Sequence, residues 1–178
     1  MIRRIDPQMF VADYGMVHCS IFSGRSVEFH PFENLDWKIL LVPGGVNIER
    51  DVFDALASMA WLQGDAECCI TDFETIPPHQ ESVAVGWSFH EFRGALGTYP
   101  LLHTVDVHLF GKSGSWGMIC YYDDFSCMGL DPRIAEIFTD QLGGEEIVKQ
   151  RFLRFSEENW FIDGRDKAKL LRCVGWGP

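Results

Sequence analysis

Hydrophobic positions in the first two thirds of the chain fall into short runs that predict β-strands. Residues 16–22 and 27–29 are predicted to form a hairpin, because the polar, glycine-containing turn at 23–25 is typical of such connections. Similar runs predict five further strands, at residues 37–42, 66–73, 82–89, 104–110 and 116–122. The last two are predicted to form a second hairpin, closed by the five-residue loop 111–115.

The spacing of apolar residues changes to three and four at residues 48–63, which predicts the first helix. Asn47 is a suitable N-cap, acidic residues occupy the first turns, and Gly64 can end the helix. The apolar stripe of this helix is predicted to pack on the sheet and consists of Ile48, Val52, Ala55, Leu56, Met59 and Leu62.

The last third of the chain is predicted to be helical. Asp131-Pro132 is a typical helix start, so a helix is expected from there to about residue 142. A second helix is predicted over residues 145–159, and a short third one from Asp163 to about residue 175. Because strands come first and helices last, without alternating βαβ units, the sequence predicts one α+β domain over residues 1–178. Its mostly antiparallel sheet would pack against one central helix and about three C-terminal helices.

Composition points to a globular protein of the cytoplasm. Of 178 residues, 47% are hydrophobic and 23% charged, and no apolar run approaches the ~20 residues that a membrane-spanning helix needs. The first residues, MIRRIDPQMF, do not resemble a signal peptide, so neither secretion nor a membrane partner is expected. The six cysteines lack any Cys-x-x-Cys spacing and are predicted to be free thiols rather than disulfides or zinc ligands.

Charge is distributed unevenly along the chain. Residues 149–178 hold seven basic and four acidic residues, whereas residues 1–148 hold eight basic and 22 acidic residues, a net charge of −14. A field of this sign repels the phosphates of nucleic acids, which argues against DNA or RNA as a partner. It would instead attract a basic protein.

The second hairpin carries the residues with most potential for chemistry. In a regular pairing across the five-residue loop, Asp106 faces Cys120 and His108 faces Met118, all on one face of the sheet. Cys120, His108 and Asp106 are then a possible nucleophile, base and orienting carboxylate for a cysteine-dependent hydrolase or transferase. A shift of one residue in the pairing would separate them.

Other kinds of site find less support in the sequence. Asp106 and His108 provide only two metal ligands on one strand, fewer than a zinc or iron site needs, so no metal is predicted. The glycines of GKSGSWG fit neither a Walker nor a Rossmann phosphate loop, and strands are predicted on both sides of them. No cofactor is therefore expected. A small-molecule or metal-binding module remains a third, weaker hypothesis.

Residues 102–142 resemble bacterial immunity proteins of polymorphic toxin systems. The resemblance rests on a strand that begins Trp116-Gly-Met-Ile-Cys-Tyr-Tyr-Asp-Asp-Phe and continues through Gly-Leu-Asp-Pro into a helix. It implies a small acidic α+β protein that has no chemistry of its own and neutralises a cognate toxin domain. The charge of −14 would suit a basic toxin, for example a nuclease.

A non-enzymatic binding protein is therefore the first functional hypothesis. Exposed tryptophans beside carboxylates are typical of protein interfaces. The predicted contact surface consists of Asp106, His108, Trp116, Asp123 and Asp124. The cysteine-dependent enzyme that uses Cys120, His108 and Asp106 is the alternative.

Overall fold

A computed structural model describes residues 3–23, 31–72, 84–89, 106–121, 125–158 and 164–177. It has the predicted α+β fold. The strands are β1 (Arg3–Ile5), β2 (Lys38–Pro43), β3 (Glu67–Asp72), β4 (Ala84–Ser88), β5 (Val107–Gly111), β6 (Trp116–Cys120) and β7 (Phe125–Leu130). The helices are α1 (Pro7–Phe10), α2 (Met16–Ile21), α3 (Arg50–Leu62), α4 (Pro132–Gln141), α5 (Glu145–Glu158) and α6 (Gly164–Cys173), and a π-helical segment, Val11–Gly15, joins α1 to α2.

The seven strands form one antiparallel sheet in the order β1-β4-β3-β5-β6-β7-β2. Every residue of β5, β6 and β7 is buried, so both faces of the sheet centre are covered. On one face, the rings of Phe53 in α3, Phe89 and Trp116 lie in sequence, with centroids about 6 Å apart. On the other face, a β-carbon added to Gly117 would lie 2.4 Å from the Ile21 side chain, so α2 packs directly on the strand backbone.

Residues 16–22 are predicted as a strand, but residues 16–21 form helix α2, and Phe22 follows it in an isolated β-bridge with Phe32. Asp6 caps α1 by accepting a hydrogen bond from the Gln8 amide, and Pro7 occupies the first helical position. The buried residues that follow, Phe10, Tyr14, His18 and Ile21, recur at helical spacing. A run as short as 16–22 does not distinguish a strand from a buried helical turn, which explains the wrong prediction. Residues 27–29 lie outside the described residues.

The second hairpin is confirmed, but its predicted pairing is wrong by one residue. Val107 faces Cys120, and His108 faces Ile119. Gly111 continues β5, so the connection has four residues instead of five. A positive φ at Gly114 allows the tight turn, and the Gly114 amide donates to the Gly111 carbonyl.

Strand β7 was missing from the predicted elements. Its sequence, FSCMGL, has no alternation of polar and apolar residues, because neighbouring strands and covering elements bury all six positions. It lies between β6 and β2 and therefore belongs to the sheet interior rather than to a connection. The three-residue strand β1 was also missing, since so short a segment carries no recognisable period.

The predicted helices after residue 47 are confirmed with small shifts at their ends. Helix α3 begins at Arg50, with Glu49 rather than Asn47 at the N-cap. Asp131 caps α4 as predicted, by accepting a hydrogen bond from the Arg133 amide. Helix α5 lies against edge strand β2, where Lys38 forms an ion pair with Glu145. This helix shields one edge of the sheet from further pairing.

Candidate functional site

The residues of the alternative cysteine site lie on two faces of the sheet. Because His108 pairs with Ile119 and Val107 with Cys120, the side chains of His108 and Cys120 point to opposite faces. Cys120 is fully buried, and burial raises the pKa of its thiol to about 12. Asp106 is partly buried at the start of β5. The expected nucleophile and base are therefore not brought together.

His108 instead forms a buried pair with His18 of helix α2. The His18 Nε2 and His108 Nδ1 atoms lie 2.9 Å apart, and each residue is about 5% exposed or less. The ring of Phe22 stacks on His108 at 3.9 Å between centroids, and Phe110 and Phe10 pack against His18. Burial lowers the pKa of His18 to about 4, and burial together with the neighbouring His18 lowers the pKa of His108 to about 3. At neutral pH both rings are uncharged, and one donates a hydrogen bond to the other.

Trp116 is fully buried, so it does not belong to a contact surface. Its indole Nε1 donates to Asp65 Oδ2 at 2.8 Å. The backbone amide and hydroxyl of Ser113 donate to the same carboxylate, at 2.9 and 2.6 Å. Three donors thus satisfy a buried carboxylate and fix the β5–β6 turn.

The predicted contact surface is not supported where the structure describes it. His108 and Trp116 are buried and hold the fold together, and only Asp106 is partly exposed. Asp123 and Asp124 lie outside the described residues. Burial removes His108 and Trp116 from direct contact with a partner.

A groove of about 650 Å³ lies beside Trp37 on the described surface. Its lining includes Asn34, Trp37, Gln63, Ser115, Arg133 and Ile137, and it is named the Trp37 groove below. The indole of Trp37 is nearly buried and packs on Phe32, with ring centroids 5.9 Å apart. The groove therefore has a fixed aromatic residue in its wall and is open to solvent.

Exposed apolar side chains occur on the elements that form this groove. Ile137 lines it and is 36% exposed, Leu62 precedes the lining residue Gln63 and is 63% exposed, and Leu35 lies between Asn34 and Trp37 and is 78% exposed. Next to Leu62, Trp61 is 58% exposed. Large apolar residues collected at one place on a surface are a recognised sign of an interaction site.

Carboxylates accompany these apolar residues. Glu33 and Asp36 are exposed on the segment before β2, and Glu136 and Asp140 are exposed on the same face of α4 as Ile137. Within the described chain, none of these four carboxylates forms an ion pair. Arg133 is the basic residue among the groove-lining side chains.

Sequence reasoning missed this groove although two signals were present. Leu62 was assigned to the buried stripe of the central helix, but it lies in the last turn of α3, beyond the part that packs on the sheet. Ile137 interrupts the polar side of α4, whose core positions are Ile134, Ala135 and Phe138. An apolar residue on the polar side of an amphipathic helix is a candidate for a contact with another molecule.

Comparisons with models of protein families, with curated proteins and with solved structures find no match to this chain. In the described part of the chain, no group of three or more His, Cys, Asp or Glu side chains is placed to hold a metal ion. No helix among the described residues has the length and apolar character needed to cross a membrane. All six cysteines are free thiols, as predicted. The class that fold and site define is an acidic α+β protein with an open surface groove.

Proposed function

We propose that this protein is a non-enzymatic binding protein that neutralises a basic protein domain, as an immunity protein does with its cognate bacterial toxin. It would act in the cytoplasm, before the toxin domain is released. The observation that carries the proposal is the Trp37 groove, which the exposed Ile137 lines and whose lining residues have exposed apolar and acidic residues as neighbours along the chain. Protein interfaces combine an apolar centre with a polar rim in this way.

The charge of the chain supports a basic partner. Its net charge is −11, and residues 1–148 alone carry −14. Long-range attraction between an acidic protein and a basic partner raises the association rate and is weakened by salt. An immunity protein gains from this, because it must capture a toxin before the toxin reaches its substrate.

The hairpin residues do not favour an enzyme. Cys120 and His108 are on opposite faces, and the raised pKa of Cys120 leaves the thiol uncharged at neutral pH. The ionisable residues buried in the described fold include His18 and His108, which bond to each other, and Asp65, which bonds to Trp116 and to the turn between β5 and β6. Their arrangement accounts for stability without any reacting group.

The test is a binding measurement with the product of the reading frame adjacent to the gene, purified as an inactivated toxin domain. We expect a tight complex whose association rate falls at least tenfold between about 50 and 300 mM salt. A mutated form of the same domain, with its basic surface residues replaced by glutamine, serves as the control and should associate slowly at both salt concentrations. Absence of binding, or binding that is indifferent to salt, would overturn the proposal.

A further inference from the structure

We infer that the Trp37 groove is the docking site for a protein segment that carries apolar side chains flanked by lysine or arginine. This inference rests on the proposed function, since it specifies which surface meets the partner and which chemistry that surface accepts. The argument has three parts, which concern the apolar centre, the acidic rim and Arg133.

The apolar centre has the properties of an anchor point. Trp37 is held in place by Phe32 and leaves only a small part of its indole accessible, which provides a rigid wall. Ile137 and Leu62 contribute exposed aliphatic surface from α4 and α3, two helices that pack against each other. Burying such side chains against a partner's apolar side chains removes nonpolar surface from water, which is the main source of affinity at the centre of an interface.

The acidic rim selects the charge of the partner. Many carboxylates elsewhere in the described chain are used internally: Glu67 pairs with Arg3, Glu145 with Lys38, and both Glu49 and Asp51 with Arg151. Asp131 lines the groove and caps α4. Four exposed carboxylates lie within three residues of a lining residue along the chain and form no such ion pair within the described residues: Glu33, Asp36, Glu136 and Asp140. Their charge is thus available to lysine or arginine side chains of a partner.

Arg133 limits what else the groove accepts. Its backbone amide donates to Asp131, but its side chain forms no ion pair within the part of the chain that the structure describes. The guanidinium of Arg133 disfavours a metal ion bound beside it in the groove. A peptide backbone, in contrast, offers carbonyl oxygens to the guanidinium while its basic side chains reach the rim. The occupant is therefore a protein segment.

The experiment uses the full chain, labelled with ¹⁵N, and a 16-residue amidated peptide of leucine and lysine with helical amphipathic spacing. A second peptide, in which glutamate replaces every lysine, is the matched probe. We expect the basic peptide to shift amide resonances around Trp37, Gln63 and Ile137, and the acidic peptide to leave them unchanged. Binding of the acidic peptide at these residues, or shifts of the basic peptide confined to other surfaces, would overturn the inference.

Two variants separate the apolar centre from the rim. The double substitution Leu62→Ser with Ile137→Ser removes the exposed apolar side chains, and Glu136→Lys with Asp140→Lys reverses the rim charge. Each should weaken binding of the basic peptide about tenfold. Control variants in helices α1 and α5, Met9→Ser and Glu157→Lys, change exposed residues on elements that do not line the groove and should leave the affinity unchanged. Equal losses in control and groove variants would refute a specific site.

The same variants test the docking site separately from the proposed toxin-binding function. If the adjacent gene product binds the wild-type chain and groove variants bind it equally well, the docking site is wrong while the binding function stands. If the peptide binds but the adjacent gene product does not, and the groove variants weaken binding of the peptide, the docking site is supported and the proposed toxin partner is wrong. Sedimentation of the wild-type chain completes the test, because a dimer that the Leu62→Ser and Ile137→Ser variant dissolves would make a second copy the occupant and overturn the inference.

Discussion

Acidification should destabilise the fold through the buried pair of His18 and His108. Folding lowers the pKa of these side chains to about 4 and about 3, from about 6.5 in an unfolded chain. Below pH 6.5 the unfolded state therefore binds protons that the folded state excludes. The stabilising contribution is complete above the unfolded pKa and is lost as pH falls from about 6.5 towards 4.

The loss of stability can be calculated from the difference between the solution pH and the unfolded pKa of each histidine. At pH 5, each ring is about 1.5 pH units below its unfolded pKa, which corresponds to about 2 kcal/mol. The two rings together give about 4 kcal/mol. This is a large fraction of the stability of a typical domain, which is roughly 5–15 kcal/mol. Phe10, Phe22 and Phe110 pack against one or both rings of the pair.

Urea unfolding between pH 7.5 and 5, followed by circular dichroism, measures this loss directly. His18→Gln removes one titrating ring while its amide can still donate to His108. The histidine pair contributes about 2.7 kcal/mol per pH unit to the slope of the unfolding free energy near pH 5 in the wild type. In the variant this contribution should fall to about 1.4 kcal/mol per pH unit, about half as steep. Identical slopes in wild type and variant would refute the assignment, as would ring resonances of either histidine that titrate near pH 6.5.

Three further predictions concern residues that fix the fold. Asp65→Asn should lower the free energy of unfolding by about 2–3 kcal/mol in urea titrations, because asparagine keeps one acceptor oxygen but turns an NH2 group toward groups that themselves donate. Ser113→Ala should cost about 1 kcal/mol, and equal costs would contradict the network. Gly117→Ala should cost about 1–3 kcal/mol, since its β-carbon would lie 2.4 Å from Ile21, and an unchanged melting temperature would contradict that packing. A thiol reagent at pH 7.5 should modify two of the six cysteines, the exposed Cys19 and Cys173, as counted by mass spectrometry; modification of Cys120 in the folded protein would contradict its burial.

Local sequence signals predicted the later elements of the fold better than the earlier ones. Helices α3 and α4 carry their own start signals and an apolar stripe, so their positions follow from residues that are close in sequence. Helix α2 has no such signal, because its burial depends on the sheet face that it covers and on the close approach permitted by Gly117. Strand β7 is defined by its two neighbours in the sheet and not by any alternation of its own.

The candidate site was harder to predict because residue type does not determine exposure. Cys120, His108 and Trp116 have the chemistry of a functional site, yet a one-residue difference in pairing and two covering layers place them inside the protein. Leu62 and Ile137 have the chemistry of a core, yet they are exposed on the outer sides of their helices. Only the packing of distant segments decides between these outcomes, and that information is not contained in a local pattern.

Helix α2 connects the stability of the protein with the groove. It carries His18 on its buried side and Ser20 in the lining of the Trp37 groove, so a state in which the histidine pair is protonated and α2 is released would also lose one wall of the groove. A partner that binds only the intact groove must therefore oppose acid unfolding. At a concentration of about one hundred times its Kd, such a partner adds about 2.7 kcal/mol, more than half of the loss of about 4 kcal/mol expected at pH 5. Urea titrations at pH 5 with and without the inactivated toxin domain should show this gain for wild type. At the same partner concentration, a tenfold weaker affinity leaves the Leu62→Ser and Ile137→Ser variant a gain of about 1.4 kcal/mol, and a gain of equal size in both would separate the partner's site from the groove.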